Sequence, residues 1–148
     1  MTRLVHRARV FAALSAAERA QVFEAGGLIA LLGLRLRASG FRAAQAWGRA
    51  RAGRRTTTPA DSRLISRQVV HAVERAARAL PGNPNCLLRS LTVWTMLAAR
   101  GVAGELRFGA RRVSGRTEAH AWVEVDGRVI NDAPDVGERF PVLEPITA

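Results

Sequence analysis

The first half of the chain carries hydrophobic residues at every third or fourth position, which is the spacing of one face of an α-helix. Ser15 and Glu18 have the spacing of an N-terminal capping box, so a helix is expected from residue 16 to about residue 37. The glycine pair at residues 26 and 27 either breaks this helix or permits a close contact along it. A second helix is expected from residue 41 to about residue 52, and a third from a cap at Asp61 or Ser62 to residue 80.

A segment rich in apolar residues follows the helix-interrupting residues Pro81, Gly82 and Pro84. It continues to a stop at Gly101, and its composition predicts a buried helix. Cys86 lies at the start of this helix. A helix N-terminus carries unpaired N–H groups and a partial positive charge, and both favour a thiolate over a thiol.

After residue 102 the hydrophobic pattern changes to a period of two, which indicates β-strands. Strands are expected near residues 102–109 and over 119–125, joined by a polar hairpin loop over 110–117. A return strand over 128–132 follows the turn signal Asp126-Gly127, and an edge strand is expected near 140–143. This order predicts an α+β fold in which N-terminal helices precede the Cys86 helix, which packs on a small antiparallel sheet.

The register of the second hairpin decides whether His120 and Asp132 meet. A two-residue loop would place Asp132 opposite Ala121, with its side chain on the wrong face of the sheet. A three-residue loop, with Gly127 in a left-handed bulge, would place Asp132 directly opposite His120. We predict the three-residue loop.

One cysteine among 148 residues excludes an internal disulfide and favours a reducing, cytoplasmic compartment. The apolar stretches are too short or too interrupted to predict a signal peptide or a membrane span. The polar segment 53–59 is the best candidate for a boundary between an N-terminal helical segment, residues 1–58, and a core domain, residues 59–148.

The formal net charge of +11 makes nucleic acid, anionic membranes and acidic proteins candidate partners. An aromatic content of 5%, without tyrosine, argues against a surface on which bases stack, so nucleic-acid binding is not expected. We favour a partner protein over a membrane as the target of a basic belt on the N-terminal helices. The belt consists of Arg35, Arg37, Arg42, Arg49, Arg51, Arg54 and Arg55.

A lone cysteine with a histidine and an acid elsewhere in the chain is a candidate nucleophilic triad. Cys86, His120 and Asp132 are the candidates here. His71 falls on the polar side of its helix and His6 near the N-terminus, so neither is assigned a role. The alternative is that Cys86 is an inert, buried thiol.

Three motifs occur in order along residues 85–134: C-L-x-R-S-L, G-V-x-x-E-L-R-x-G and A-H-A-W-V-E-V-D-G-R-V. Through them the chain resembles the transglutaminase-like cysteine proteases of lasso peptide biosynthesis. The resemblance implies a papain-like, transglutaminase-core fold with a Cys86–His120–Asp132 triad and no cofactor. It also implies that the enzyme removes the leader from a ribosomally made precursor peptide, which frees the core amine for a separate ATP-dependent cyclase.

Some members of that family carry a leader-recognition domain, and the N-terminal helical half of this chain does not resemble it. The resemblance therefore implies the split form, which depends on a separate leader-binding protein. The main alternative is a non-catalytic scaffold of the same fold that binds a peptide or partner. An amidase or a true transglutaminase is a second alternative, and a metal site is not expected because one cysteine and one well-placed histidine do not make a usual ligand set.

Overall fold

The computed structural model describes residues 13–53 and 57–143. Three long helices come first: α1 (Ala16–Ala50), α2 (Pro59–Ala79) and α3 (Cys86–Ala99). The strands β1 (Gly104–Val113), β2 (Arg116–Val125) and β3 (Arg128–Val129) follow, and then a short helix, α4 (Val136–Arg139). The strands form an antiparallel sheet in the order β1-β2-β3. The predicted α+β order of elements is therefore confirmed.

Helix α1 begins at the predicted capping box. The Glu18 N–H donates to Ser15 Oγ at 3.2 Å, and the Ser15 N–H donates to Glu18 Oε2 at 2.8 Å. The break in this helix lies at Gly40, where φ is 76°, and not at the glycine pair of residues 26 and 27. Only Gly40 adopts a positive φ there, a conformation that costs glycine little and ends the helical hydrogen-bond pattern locally.

Helix α2 begins earlier than predicted. Its cap is Thr58, whose Oγ1 accepts a hydrogen bond from the Asp61 N–H at 3.2 Å, so the expected cap at Asp61 or Ser62 is wrong. Pro59 suits the first helical position because it has no N–H to satisfy. Residues 54–56 of the expected connector lie outside the described residues, and the boundary at residue 58 stays a prediction.

The main hydrophobic core lies between α1, α2, α3 and one face of the sheet. Helix α3 is its centre, since every residue from Ser90 to Leu97 is buried. The Trp94 indole N–H donates to the Gly104 carbonyl at 2.9 Å and so ties α3 to β1. A smaller cluster on the opposite side of the sheet consists of Trp122, Val136 and Phe140. No helix within the described ranges has the length and apolar character needed to cross a bilayer.

The first hairpin is tighter than predicted. Strands β1 and β2 extend to Val113 and Arg116, so Ser114 and Gly115 alone form the turn, and the expected loop over 110–117 is wrong. Both turn residues have positive φ, which matches the twist of the flanking strands. The edge pairing expected near 140–143 is present as a bridge between Val142 and Gly109 on the free edge of β1.

The second hairpin also has a two-residue turn. Val125 pairs with Arg128 and Glu124 pairs with Val129, so the predicted three-residue loop is wrong. Asp126 and Gly127 have φ values of 52° and 70°. These values fit the tight turn whose twist suits a hairpin, and aspartate tolerates the left-handed conformation that it requires.

Two glycines of α1 should respond in opposite ways to the same substitution. A Cβ on Gly48 would lie 2.6 Å from Thr95 Oγ1, whereas a Cβ on Gly26 would have no atom within 4 Å. We expect Gly48→Ala to lower the free energy of unfolding by about 1–3 kcal/mol through overpacking. Gly26→Ala should raise it by roughly 0.5–1 kcal/mol because alanine is the better helix former.

Urea denaturation followed by circular dichroism measures both variants. Equal effects of the two substitutions would contradict the close contact between α1 and α3.

Candidate active site

Strand β3 leaves the sheet after two residues, and a side chain takes over its hydrogen bonding. The Ile130 N–H still donates to the Val123 carbonyl at 3.0 Å. The Val123 N–H, however, donates to Asn131 Oδ1 at 2.8 Å, where a regular ladder would use the Ile130 carbonyl. The backbone therefore departs from the ladder at this point, and Asp132 is not held in register opposite Ala121.

A serine on α3 provides a further hydrogen bond to the same edge of β2. The Ser90 hydroxyl donates to the Ala121 carbonyl at 2.9 Å, and the Asn131 amide donates to Ser90 Oγ at 2.9 Å. Ser90 is 1% exposed, so these hydrogen bonds are shielded from water. We call this pair of side chains the Ser90–Asn131 clamp, and it fixes the first turns of α3 against β2.

The departure of the chain brings Asp132 to His120 in spite of the two-residue turn. His120 Nε2 and Asp132 Oδ2 are 2.6 Å apart. Burial would by itself raise the pKa of Asp132, but hydrogen bonds from His120, the Ala133 N–H and Arg139, with attraction to His120, lower that pKa below its ordinary value. The ionised carboxylate accepts the hydrogen bond, so Nε2 donates, and in the neutral form of the ring the lone pair is on Nδ1.

Asp132 is held from a second direction by the segment that follows it. Its Oδ1 accepts hydrogen bonds from the Ala133 N–H at 2.7 Å and from the Arg139 guanidinium at 3.1 Å. Arg139 is the last residue of α4. The short helix therefore orients the carboxylate, which in turn orients the imidazole.

Aromatic rings support His120. Phe140 stacks on the imidazole with ring centroids 4.8 Å apart and planes 26° apart. Gly109, which pairs with His120 across β1 and β2, allows this approach, since a Cβ there would lie 2.8 Å from Phe140 Cβ. Trp122, two residues after His120 on the same face of β2, is fully buried in the small cluster with Phe140.

Cys86 is the first residue of α3, as predicted, and is partly exposed. Asn85 caps the helix by accepting a hydrogen bond from the Leu88 N–H at 2.9 Å. Within the described part of the chain, the N–H groups of Cys86 and Leu87 have no acceptor. These free donors at a helix N-terminus can bind a developing negative charge.

Arg89 shapes the loop that leads to Cys86. Its Nε donates to the Pro84 carbonyl at 2.8 Å, and its guanidinium also hydrogen-bonds Asn83 Oδ1. The same guanidinium lies 3.4 Å from Glu74 on α2. Asn83 has a positive φ of 41°, so these contacts hold a turn that the backbone alone disfavours.

A cleft of about 300 Å³ brings the three predicted residues Cys86, His120 and Asp132 together. Its other lining residues come from the loop before α3, from α2 and α3, and from the sheet: Glu74, Asn83, Pro84, Asn85, Arg89, Ser90, Ala121 and Asn131. His71 is exposed and does not line this cleft. His6 lies outside the described residues.

The sequence interpretation missed the supporting residues. Arg89 and Ser90 are the polar members of the C-L-x-R-S-L motif, so their place in an otherwise apolar helix was an available signal. Asn131 directly precedes Asp132, but only the side-chain hydrogen bond to Val123 shows its role. Nothing in the sequence pattern indicates that Phe140 stacks on His120.

The clamp predicts energetic coupling between its two members. Ser90→Ala and Asn131→Ala should each lower the free energy of unfolding by about 1–3 kcal/mol, because each leaves buried polar groups unpaired. In the double variant the two losses should be non-additive by at least about 0.5 kcal/mol, since both side chains belong to one network. A double-mutant cycle by urea denaturation measures this coupling, and strictly additive losses would argue against the clamp.

The lowered pKa of Asp132 predicts an acid-sensitive contribution to stability. The ordinary value is 3.8, and the folded value lies below it, so the unfolded chain binds the proton first as the pH falls. The contribution is therefore fully present above pH values near 3.8 and is lost as the pH falls through the folded pKa. Unfolding midpoints measured between pH 2 and pH 5 should fall less steeply with acid for Asp132→Asn than for the unaltered protein. Parallel profiles would contradict the assignment.

Comparison with known proteins agrees with this architecture. The family model of the transglutaminase-like superfamily matches residues 28–144, which is more than half of the chain. The chain is also 36% identical over 62 residues to the microcin J25-processing protein McjB of Escherichia coli. The matched region covers 42% of this chain and 29% of the relative. The chain therefore matches less than a third of the relative's length. No solved structure matches the chain with significance.

The family match and the observed order of elements together confirm the papain-like, transglutaminase-core α+β fold expected from the sequence. The matched segment includes every residue that lines the cleft. The chain belongs to the transglutaminase-like superfamily.

Proposed function

We propose that this protein is a cysteine protease that removes the leader from a ribosomally made lasso precursor peptide. The observation that carries the proposal is the cleft in which Cys86, at a helix N-terminus, shares its walls with the hydrogen-bonded pair His120–Asp132. The similarity to McjB of Escherichia coli, a microcin J25-processing protein, supports a processing reaction.

In the first half of the proposed reaction, Cys86 Sγ attacks the carbonyl carbon of the scissile peptide bond. His120 Nδ1 takes the thiol proton and then delivers it to the leaving amine as the C–N bond breaks. The products of this step are a thioester on Cys86 and the free amine of the core peptide. In the second half, His120 removes a proton from water, the resulting hydroxide displaces the thiolate, and the leader leaves as a carboxylic acid.

Asp132 supports both halves of this cycle. It fixes the tautomer in which Nε2 carries a proton, and its negative charge stabilises the imidazolium that forms when His120 accepts a second proton. The Cys86 N–H is the proposed donor to the oxyanion, because it has no acceptor within the described residues.

The proposed partners follow from the same function. A separate leader-binding protein would present the precursor, and a separate ATP-dependent cyclase would use the freed amine. The basic belt on α1 is the proposed surface for the leader-binding protein, with Arg37, Arg42 and Arg49 exposed. Two other members, Arg35 and Arg51, lie over the Trp47 ring at 4.9 Å and 5.0 Å.

Two other functions fit parts of this structure. A peptide-binding scaffold of the same fold would use the cleft without needing a reactive thiol. An amidase or a transglutaminase would use the same three residues and is distinguished by its products, since only proteolysis yields two shorter peptides from one precursor.

The proposal is tested by mass spectrometry of a precursor peptide incubated with this protein, with and without its leader-binding partner. We expect cleavage at one bond, and Cys86→Ala and His120→Ala should each reduce the rate by at least about 10³-fold. His71→Ala is the matched control, because this exposed histidine lies outside the cleft, and it should cleave at the unaltered rate.

Absence of cleavage by a folded sample with its partner present would overturn the protease assignment and favour the scaffold. Cleavage at an unaltered rate by the Cys86→Ala variant would show that Cys86 is not the nucleophile.

A further inference from the structure

A second and larger groove, of about 490 Å³, lies between the N-terminal half of α2 and the β2–β3 hairpin. None of the three proposed catalytic residues lines it. Its walls combine arginines with apolar side chains of the hairpin: Pro59, Arg63, Ser66, Arg67, Val125, Asp126, Arg128, Val129 and Ile130. We call it the arginine groove.

The arginine groove carries positive charge that the described residues do not neutralise. Arg63, Arg67 and Arg128 are exposed, and none of them forms an ion pair with a described residue. Asp126 is the single acidic residue among those that line the groove, and it forms no ion pair with a described residue either. Three positive charges and one negative charge leave a net charge of +2, which favours a ligand with carboxylate groups.

The donors in the wall of the groove come from one helix. Arg63 and Arg67 are four positions apart on α2, so they share one face of the helix and can hold one carboxylate between them. Val129 and Ile130 offer an apolar wall.

The arginine groove and the catalytic cleft share two structural elements. Helix α2 supplies Ser66 to the groove and Glu74 to the cleft. These residues are eight positions apart, which is about 12 Å along a helix. The segment after β3 supplies Ile130 to the groove and Asn131 to the cleft. Two consecutive residues therefore line the two sites.

We propose that the arginine groove binds an acidic residue of the substrate peptide, at a position beyond those that occupy the cleft. The acidic side chain pairs with Arg63 and Arg67, and a neighbouring apolar side chain packs on the hairpin. This inference rests on the proposed protease function, since it names a specificity subsite for that cleft.

Isothermal titration calorimetry on the Cys86→Ala variant tests binding without cleavage. The probes are the synthetic peptide acetyl-Gly-Val-Glu-Val-Glu-Gly-amide and its counterpart with glutamine in place of both glutamates. We expect the glutamate peptide to bind about tenfold more tightly, the effect of one good charge-assisted contact. Adding Arg63→Gln and Arg67→Gln should abolish the difference.

Arg112→Gln with Arg116→Gln is the matched control, since these arginines are exposed, form no ion pair with a described residue and lie at the β1–β2 turn. The control pair should keep the preference for glutamate. Equal affinity for the two peptides would overturn the proposal, and so would an equal loss in the control pair, which would indicate general attraction between a basic protein and an acidic peptide.

A kinetic experiment separates this inference from the protease function on which it rests. In the active protein, Arg63→Gln with Arg67→Gln should raise the KM for an acidic precursor peptide about tenfold and leave kcat unchanged. Cleavage with an unaltered KM would overturn the subsite and leave the protease function standing. Selective peptide binding without cleavage by the active protein would overturn the protease function and, with it, the role of the groove as a substrate subsite.

Discussion

The arrangement of the cleft around Cys86, His120 and Asp132 depends on one exchange of hydrogen-bond partners. At the edge of β2, the side-chain amide of Asn131 takes the place of a backbone carbonyl. Asn131 accepts the hydrogen bond from Val123 and donates to Ser90, while Ser90 donates to the next free carbonyl of the strand, that of Ala121. Without these side chains, the edge would expose unpaired polar groups inside the protein. Because the backbone need not continue as a strand, it can turn aside at this point and carry Asp132 to His120.

The same clamp connects α3, which carries Cys86, with β2, which carries His120. Ser90 is four residues after Cys86, one turn along α3, and its partner carbonyl at Ala121 is one residue after His120. A shift of α3 relative to β2 would therefore break buried hydrogen bonds, which are costly to leave unmade. The position of the helix N-terminus relative to the imidazole is held by these contacts and by the packing of α3 in the core.

The imidazole itself is restrained from several sides. Asp132 accepts a hydrogen bond from its Nε2, Phe140 stacks on its face, and Arg139 holds the carboxylate. Phe140 and Arg139 both belong to the segment around α4, far from the nucleophile in sequence. This segment is therefore part of the site, although its composition, rich in proline and charge, first suggests only an extended tail.

Hydrophobic periodicity was sufficient to predict that long helices precede the hairpins and that Cys86 lies at the start of α3. These features depend on local patterns that are visible in sequence. Periodicity did not predict α4 or the full length of β1 and β2. The pairing of His120 with Asp132 was predicted for a wrong reason, since the turn has two residues and the contact arises from the departure of the chain at Asn131. A side chain that replaces backbone in a ladder leaves no periodic signal, and neither does a glycine such as Gly109, which allows the backbone of Phe140 to come close.

In the proposed mechanism His120 activates Cys86, and the rate at which iodoacetamide alkylates Cys86 at neutral pH measures this activation. Peptide mapping follows the reaction at this single cysteine, so the signal is unambiguous. The account predicts rapid alkylation that slows by at least about tenfold in His120→Ala, because only the thiolate reacts appreciably and the imidazole accepts its proton. A rate that is slow in the unaltered protein, or unchanged in His120→Ala, would contradict the account.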